Sequence, residues 1–326
     1  MSLKLGLYLG YWGIGPRGKD AIEAVQFAES IGYESVWVAE SYGSDCVSVL
    51  SWLAAQTEKI NLGAAIMQVP ARPPAAAAMA GATIDYLSNG RFMFGFGPSG
   101  PQVSEGWYGV DYSKPWGRTK EYVEVVREIV AREEKLDHQG EHYQLPMPGG
   151  QGKPLKLNFK PLRPDIPIFF SPEKFEEAWG EHIEKGLAAG GRTREDFEIS
   201  PSVQVAIDGD LEAARNMVRM ALVLYLGGMG SKKTNFYVDL SHRFGFGEEA
   251  DKVQELFQSG DKEGAFKALP DEFVNAVSLI GTEAEVAERL NAFREKGIDR
   301  LIMTPVHPEV DQMRHTVERL AALTQG

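Results

Sequence analysis

Apolar and polar positions along this chain fall into a repeating two-beat pattern. Leu3–Leu9 is a short apolar run, and Lys19–Ile31 (KDAIEAVQFAESI) then carries apolar residues at helical spacing, closed by Gly32. The beat returns as Ser35–Ala39 and Val47–Gln56, as Ile60–Met67 and the alanine-rich Pro74–Leu87, and as Arg91–Phe96 and Arg118–Arg132. Runs rich in Val, Ile and Phe without strict alternation suit strands buried on both faces. Each is followed by an amphipathic segment, which predicts parallel strands covered by helices.

Beyond residue 135 the rhythm loosens. The stretch HQGEHYQLPMPGGQGKPLKLNFKPLRP predicts a hairpin or long loop. Ile166–Phe170 reads as a strand, Glu173–Ala189 as a helix and Phe197–Ile207 as a strand. Leu211–Ala268 is almost wholly helical in pattern, and Ala276–Ile280 suits a short strand or a turn. Glu283–Lys296 (helix), Arg300–Thr304 (strand) and Glu309–Leu323 (helix) complete the chain. No linker or shift of composition interrupts it. The expectation is one α/β domain over residues 1–326, a (β/α)8 TIM-barrel type with a helical insertion at about 211–275 covering the barrel mouth.

Composition narrows the class of function. The chain has 326 residues, is 43% hydrophobic and carries a formal net charge of −12. Such a charge disfavours nucleic acid and anionic membrane surfaces as partners. No run approaches the roughly 18 apolar residues that a membrane span needs, and the N-terminal residues lack a signal-peptide layout. One cysteine, Cys46, rules out an internal disulfide and fits the cytoplasm. The expected partners are a small-molecule substrate and a second copy of the chain, as a homodimer.

Gly95–Gly100 (GFGPSG) matches the G-x-G-x-x-G dinucleotide pattern letter for letter. Its context does not. These glycines follow the fourth strand rather than the first, and PQVSEGWYG reads as a loop rather than the start of a helix. No acid stands where a ribose would need one. The glycines are expected instead to permit a crowded strand end inside a barrel.

In a barrel of this type chemistry collects on the loops that follow the strands. Those loops here include LGYWGIGPRG, VAESYGSD, AIMQVPARPP and GFGPSGPQVSEGWYG. In this order and spacing, with RTKEYVEVVREIVAREE, GEHYQLP, YLGGMG and GIDRLIMTP, they resemble the luciferase-like oxidoreductase superfamily. More narrowly they resemble its branch dependent on the deazaflavin coenzyme F420. The resemblance implies hydride transfer between that coenzyme and a small organic substrate. It also implies a bulge in the third strand, often with a cis peptide, that backs the coenzyme ring. By position this is Ala65–Ile66, followed by Met67.

The same resemblance, together with placement on the strand-end loops, selects the candidate site. Tyr11, Ser41, Ala65, Ile66, Met67, Gly97, Pro98, Ser99 and Gln102 are expected at the coenzyme. Trp12, Glu105, Trp107 and Met229 are expected at the substrate. Glu40 and Tyr8 are the catalytic candidates. Sugar and alcohol dehydrogenases of the branch carry an Asp-His pair where Glu40-Ser41 stands. The methylenetetrahydromethanopterin reductases carry a catalytic Glu where Tyr8 stands. Both departures count against those particular reactions. An FMN-dependent monooxygenase of the superfamily is the alternative, and a non-catalytic ligand-binding barrel is the alternative of another class.

Other charged and nucleophilic groups fit chemistry less well. Arg17 and Arg72 lie on loops of the same face, where they would meet anionic groups. Lys153, Lys156, Lys160 and Arg163 form a basic cluster suited to an anionic coenzyme tail, or simply a solvated hairpin face. The six histidines lack metal-ligand spacing, so no metal is expected. Cys46 reads as a small buried residue.

One count fails. Only seven convincing strands are found where eight would close the barrel. The strand ending at Ile168 runs straight into Phe169-Phe170-Ser171, so one strand–helix unit is expected to be missing near residue 168, unless the chain is interrupted there.

Overall fold

The computed structural model describes residues 3–11, 18–170, 185–229 and 235–325. Its strands are β1 (Lys4–Gly10), β2 (Ser35–Val38), β3 (Asn61–Ala64), β4 (Met67–Gln68), β5 (Phe92–Gly97), β6 (His138–Gln139), β7 (Gln144–Leu145), β8 (Ile168–Phe170), β9 (Ser202–Ile207), β10 (Ser278–Gly281) and β11 (Arg300–Pro305). The chain divides into two compact units that interleave in sequence. One contains Leu9–Ser30 and Glu34–Ser171; the other contains Met1–Tyr8, Ile31–Tyr33 and Pro172–Gly326.

The unit holding residues 34–171 is built around a parallel sheet. Ser35–Val38 lie opposite Asn61–Ala64, and Leu62–Gly63 lie opposite Phe92–Met93. Residues 65 and 66 step out of the ladder, which resumes where Met67–Gln68 pair with Phe96–Gly97. On the other edge of β5, Ile168–Phe170 pair with Phe94–Phe96. The helices α1 (Gly18–Ser30), α2 (Cys46–Gln56), α3 (Pro74–Leu87), α4 (Pro101–Ser104) and α5 (Pro115–Ala131) belong to the same unit.

Every residue of β5 is buried, as a parallel strand covered on both faces requires. Its aromatic side chains continue into α5. Phe92, Phe94 and Phe96 lie 4.8 and 5.1 Å apart between ring centroids, and Phe96 meets Tyr122 at 5.2 Å edge to face. Rings at these spacings add packing energy to the burial itself. Asp45 starts α2 by accepting the Ser48 amide hydrogen at 2.7 Å. Arg91, buried at the entry to β5, donates to the carbonyls of Ala54, Thr57 and Ile60 and so closes the far end of α2.

In the other unit β10, β9, β11 and β1 form a parallel sheet in that order. The expected helical insertion is present as Leu211–Gly228, Phe236–Arg243, Gly247–Ser259, Lys262–Lys267 and Asp271–Val277. It has its own core, in which Val223, Leu226, Val253 and Phe273 are buried and Phe246 stacks on Phe273 at 4.5 Å.

PQVSEGWYG is not all loop, because Gly100 opens the four-residue helix α4; the next long helix starts only at Pro115. Ser278–Gly281 is a true strand, so seven strands was an undercount. The peptide between Ile168 and Phe169 is continuous, since both pair in consecutive register with Phe94 and Gly95. Among the described residues β8 has only β5 as a partner and β10 only β9. The expected helix over 173–189 lies largely outside the described residues.

Arg163 is not part of a free basic strip. It pairs with the buried carboxylate of Asp85 and donates to the Phe92 carbonyl at 2.5 Å. Lys156 likewise donates to the Glu133 carbonyl at 2.7 Å.

Candidate active site

Glu40 lies two residues past the end of β2 and is buried. Its carboxylate is held from two sides. The Gln68 amide hydrogen reaches Oε2 at 3.0 Å, and Arg72 forks onto both oxygens, with Nη1 at 2.9 Å from Oε2 and Nη2 on Oε1. The pair is nearly dry, with side-chain exposures of 3% for Glu40 and 16% for Arg72. Arg72 also reaches Asp45 Oδ1 at 3.1 Å, and its own carbonyl accepts the Tyr122 hydroxyl at 3.2 Å. Bidentate, charge-assisted contacts of this kind fix position as well as charge.

Burial alone would lower the Arg72 pKa, but hydrogen bonding to Glu40 and the charges of Glu40 and Asp45 raise it above its ordinary value. Asp45 is also buried in part, yet the Ser48 bonds and the Arg72 charge hold it below the usual carboxylate range. Arg72 is therefore committed within the protein and does not meet an external anion as the sequence suggested. Cys46, fully buried beside this cluster, has its thiol pushed well up by burial and by the Glu40 charge. Such a thiol is not a nucleophile.

The Glu40–Gln68 bond ties the residues past β2 to β4, just beyond the step out of the ladder. There the Ala65–Ile66 peptide is cis, at the position expected for the bulge. The glycines of GFGPSG now have a physical reason. A Cβ on Gly95 would overlap the Ala64 carbonyl oxygen, and a Cβ on Gly97 would overlap Ile66 Cδ1. Both glycines let β5 lie against the bulge, so the crowded strand end replaces the dinucleotide reading.

Pro98 is buried, and Ser99 sits in the left-handed region with φ +63°. Its carbonyl accepts the Tyr112 hydroxyl at 2.7 Å, and its hydroxyl accepts Gln68 Nε2 at 2.8 Å. Gln68 is itself buried, 4% exposed, and its Oε1 has no hydrogen-bond partner. Sequence reasoning passed over this residue, because a lone glutamine after an apolar run gives no signal until its partners are known.

Tyr11 and Ser41 are side-chain hydrogen-bond partners, and burial raises the Tyr11 phenol above its usual pKa. Tyr108 is raised as well, first by burial and then by the Glu40 charge. The phenols thus stay protonated at neutral pH. Gln102, Glu105 and Trp107 are exposed on and after α4, and Glu105 accepts the Tyr112 amide hydrogen at 3.2 Å. The structure thus gathers Tyr11, Glu40, Ser41, Ala65, Ile66, Met67, Gly97, Pro98, Ser99, Gln102, Glu105 and Trp107 in one unit. Tyr8 and Met229 belong to the other unit. Trp12 and Arg17 lie outside the described residues. Among the described residues no cluster could hold a metal ion, and no helix is long and apolar enough to cross a membrane.

The Luciferase-like monooxygenase family model matches residues 10–300. A Mycobacterium tuberculosis protein provisionally named a coenzyme F420-dependent oxidoreductase is 40% identical, covering 93% of this chain and 95% of its own. That alignment runs over 332 positions, more than the 326 residues present here, so the relative has residues where this chain has none.

Among solved structures, the coenzyme F420 dependent tetrahydromethanopterin reductase from Methanopyrus kandleri superposes with a TM-score of 0.78 at 17% identity, over 98% of each chain. An F420-dependent secondary alcohol dehydrogenase in complex with an F420-acetone adduct gives 0.75 at 17% identity, over 99% of this chain and 98% of its own. The α/β fold with its parallel sheets is the TIM-barrel-like fold of these enzymes. The chain belongs to the luciferase-like monooxygenase family.

Proposed function

We propose that this protein is an F420-dependent oxidoreductase that moves a hydride between the deazaflavin and a small organic substrate. The observation that carries the reading is Gln68 Oε1, a buried acceptor with no hydrogen-bond partner beside the Ala65–Ile66 bulge. Leaving such an acceptor unmet costs about 1–3 kcal/mol. A flat heterocycle with an N–H along its edge, backed by the bulge, supplies the missing donor. The 40% identical relative supports the deazaflavin over FMN.

When bound, the coenzyme supplies a ring carbon that gives or takes a hydride. The protein's own residues do the rest. Ala65, Ile66 and Met67 would back the ring, while Gly97, Pro98, Ser99 and Gln102 would flank it. Tyr11 and Ser41 would offer a protonated phenol and a hydroxyl to its polar edge. Glu40 acts as a positioning residue, because Arg72 and the Gln68 amide occupy its oxygens. Tyr8 stays a catalytic candidate, and Met229 and Trp12 stay substrate candidates, by resemblance alone. We keep the single-domain reading, a cytoplasmic setting and a homodimer. The exposed apolar side chains Met79, Tyr86 and Leu87 on α3 support the homodimer.

Titration with F420, FMN and NADP tests the reading, with Gln68→Leu as the variant. F420 should bind most tightly, and Gln68→Leu should weaken it about tenfold or more while leaving the melting temperature within a few degrees. Tighter binding of FMN would favour the monooxygenase reading. Binding without turnover of any reducible substrate would favour the non-catalytic barrel.

A further inference from the structure

We propose that Tyr42 and Trp107 form a substrate-recognition jaw that selects a planar, mostly apolar molecule without negative charge. The proposal deepens the oxidoreductase reading and rests on it.

Tyr42 follows Glu40 and Ser41 on the loop after β2, and Trp107 lies just beyond α4 on the loop after β5. Both side chains are large and exposed, at 59% and 65%. They nevertheless face each other, with ring centroids 6.5 Å apart and planes tilted by 56°. Tyr42 is near enough to Tyr11 for the two phenols to interact electrostatically, which places the jaw beside the Tyr11–Ser41 pair. The backbone under Trp107 is fixed, since its amide hydrogen and that of Tyr108 both reach the Val103 carbonyl at 3.1 Å. Two exposed aromatic rings on separate, anchored loops at one strand end form an apolar patch of the kind that marks a binding site. Their stacking surfaces suit a flat ring system.

The charges around the jaw decide which flat molecule it takes. Within this unit Glu40 and Asp45 share the single cation Arg72, so that cluster keeps one negative charge in excess. Glu105, two residues before Trp107, adds another and, among the described residues, has only the Tyr112 backbone amide as its partner. A carboxylate or phosphate on the substrate would be repelled by these charges. A neutral ring ketone would not.

The test uses the full chain with F420 bound and two probes that share one ring system, neutral 2-acetonaphthone and anionic 2-naphthoate. Equilibrium dialysis measures both on the wild type, Tyr42→Ala, Trp107→Ala, and Trp52→Ala as an exposed aromatic control on α2. The wild type should hold 2-acetonaphthone at least tenfold more tightly than 2-naphthoate. Tyr42→Ala and Trp107→Ala should each weaken 2-acetonaphthone about tenfold, with Trp52→Ala unchanged and F420 affinity retained in all three. Glu105→Gln should narrow the preference for the neutral probe. Equal affinity for the two probes, or unchanged affinity in both jaw variants, overturns the proposal. Failure of F420 to bind the wild type would instead overturn the reading beneath it.

Discussion

Two carboxylate–arginine pairs, one in each compact unit, use the same chemistry at opposite ends of the strands. Glu40–Arg72 lies past the C-terminal ends of β2 and β4. Glu198–Arg300 lies at the N-terminal ends of β9 and β11, where Arg300 Nε reaches Glu198 Oε1 at 2.5 Å and Lys4 Nζ reaches Oε2 at 2.8 Å. In barrels of this type the C-terminal ends carry chemistry and the N-terminal ends carry stability. The first pair accordingly braces a bulged, crowded segment that includes the unmet oxygen of Gln68. The second clamps strand starts. A buried ion pair alone therefore says little about function until its place along the strand is known.

The sharpest way to separate the two is to remove each arginine. Arg72→Ala leaves Glu40 buried without its counter-charge and should cost about 3–5 kcal/mol in urea unfolding. It should also weaken F420 in the fraction that remains folded. Arg300→Ala should cost less, roughly 2–3 kcal/mol, because Glu198 keeps Lys4 and some solvent. F420 affinity per folded molecule should not change. Equal loss of coenzyme binding in both variants would erase the distinction between the ends.

Acid unfolding sharpens the same contrast. Burial would raise the Glu198 pKa, but Arg300, Lys4 and Ser200 bring it down from 4.5 to about 2. A carboxylate depressed on folding stabilises the native state fully above its unfolded pKa. That stability is lost as pH falls from about 4.5 to about 2. It amounts to at most about 3 kcal/mol, less whatever solvent screening removes. Glu198→Gln should flatten the stability profile in that window.

At the bulge, Gly97→Ala forces Ile66 Cδ1 aside and should cost about 1–3 kcal/mol. Ile66→Ala in the same chain should recover part of the loss by opening space. The smallest effect belongs to Lys4→Met. With Lys4 40% exposed, its pairing with Glu198 should be worth under about 1 kcal/mol and should fade in high salt.

How much of this was legible depends on the reach of each signal. The strand–helix alternation through α5 was readable because burial on both faces leaves apolar runs at the strands, β2 and β5 most plainly. The bulge at Ala65–Ile66 was placed by resemblance, and the glycines of GFGPSG were assigned to crowding by their context. Arg72 was misread as a free cation because its partners Glu40 and Asp45 stand 32 and 27 residues away, a spacing that no local pattern encodes. Arg163 was misread for the same reason, its partner Asp85 being 78 residues distant. Ser278–Gly281 was only half seen, since four residues give too little periodicity to tell a strand from a turn.

The parallel pairing of β1 with β11 has a consequence for how the molecule is made. Lys4 finds its ladder partner at Arg300, so β1 leaves the ribosome long before the strand it pairs with. At about 5–20 residues per second that interval lasts roughly 15–60 seconds. Meanwhile Leu5 and Leu7, buried in the finished protein, stand on a strand with one edge unmatched. Nascent chains halted between β5 and β11 should accordingly depend on a chaperone that holds exposed apolar strands, and chains released after β11 should not.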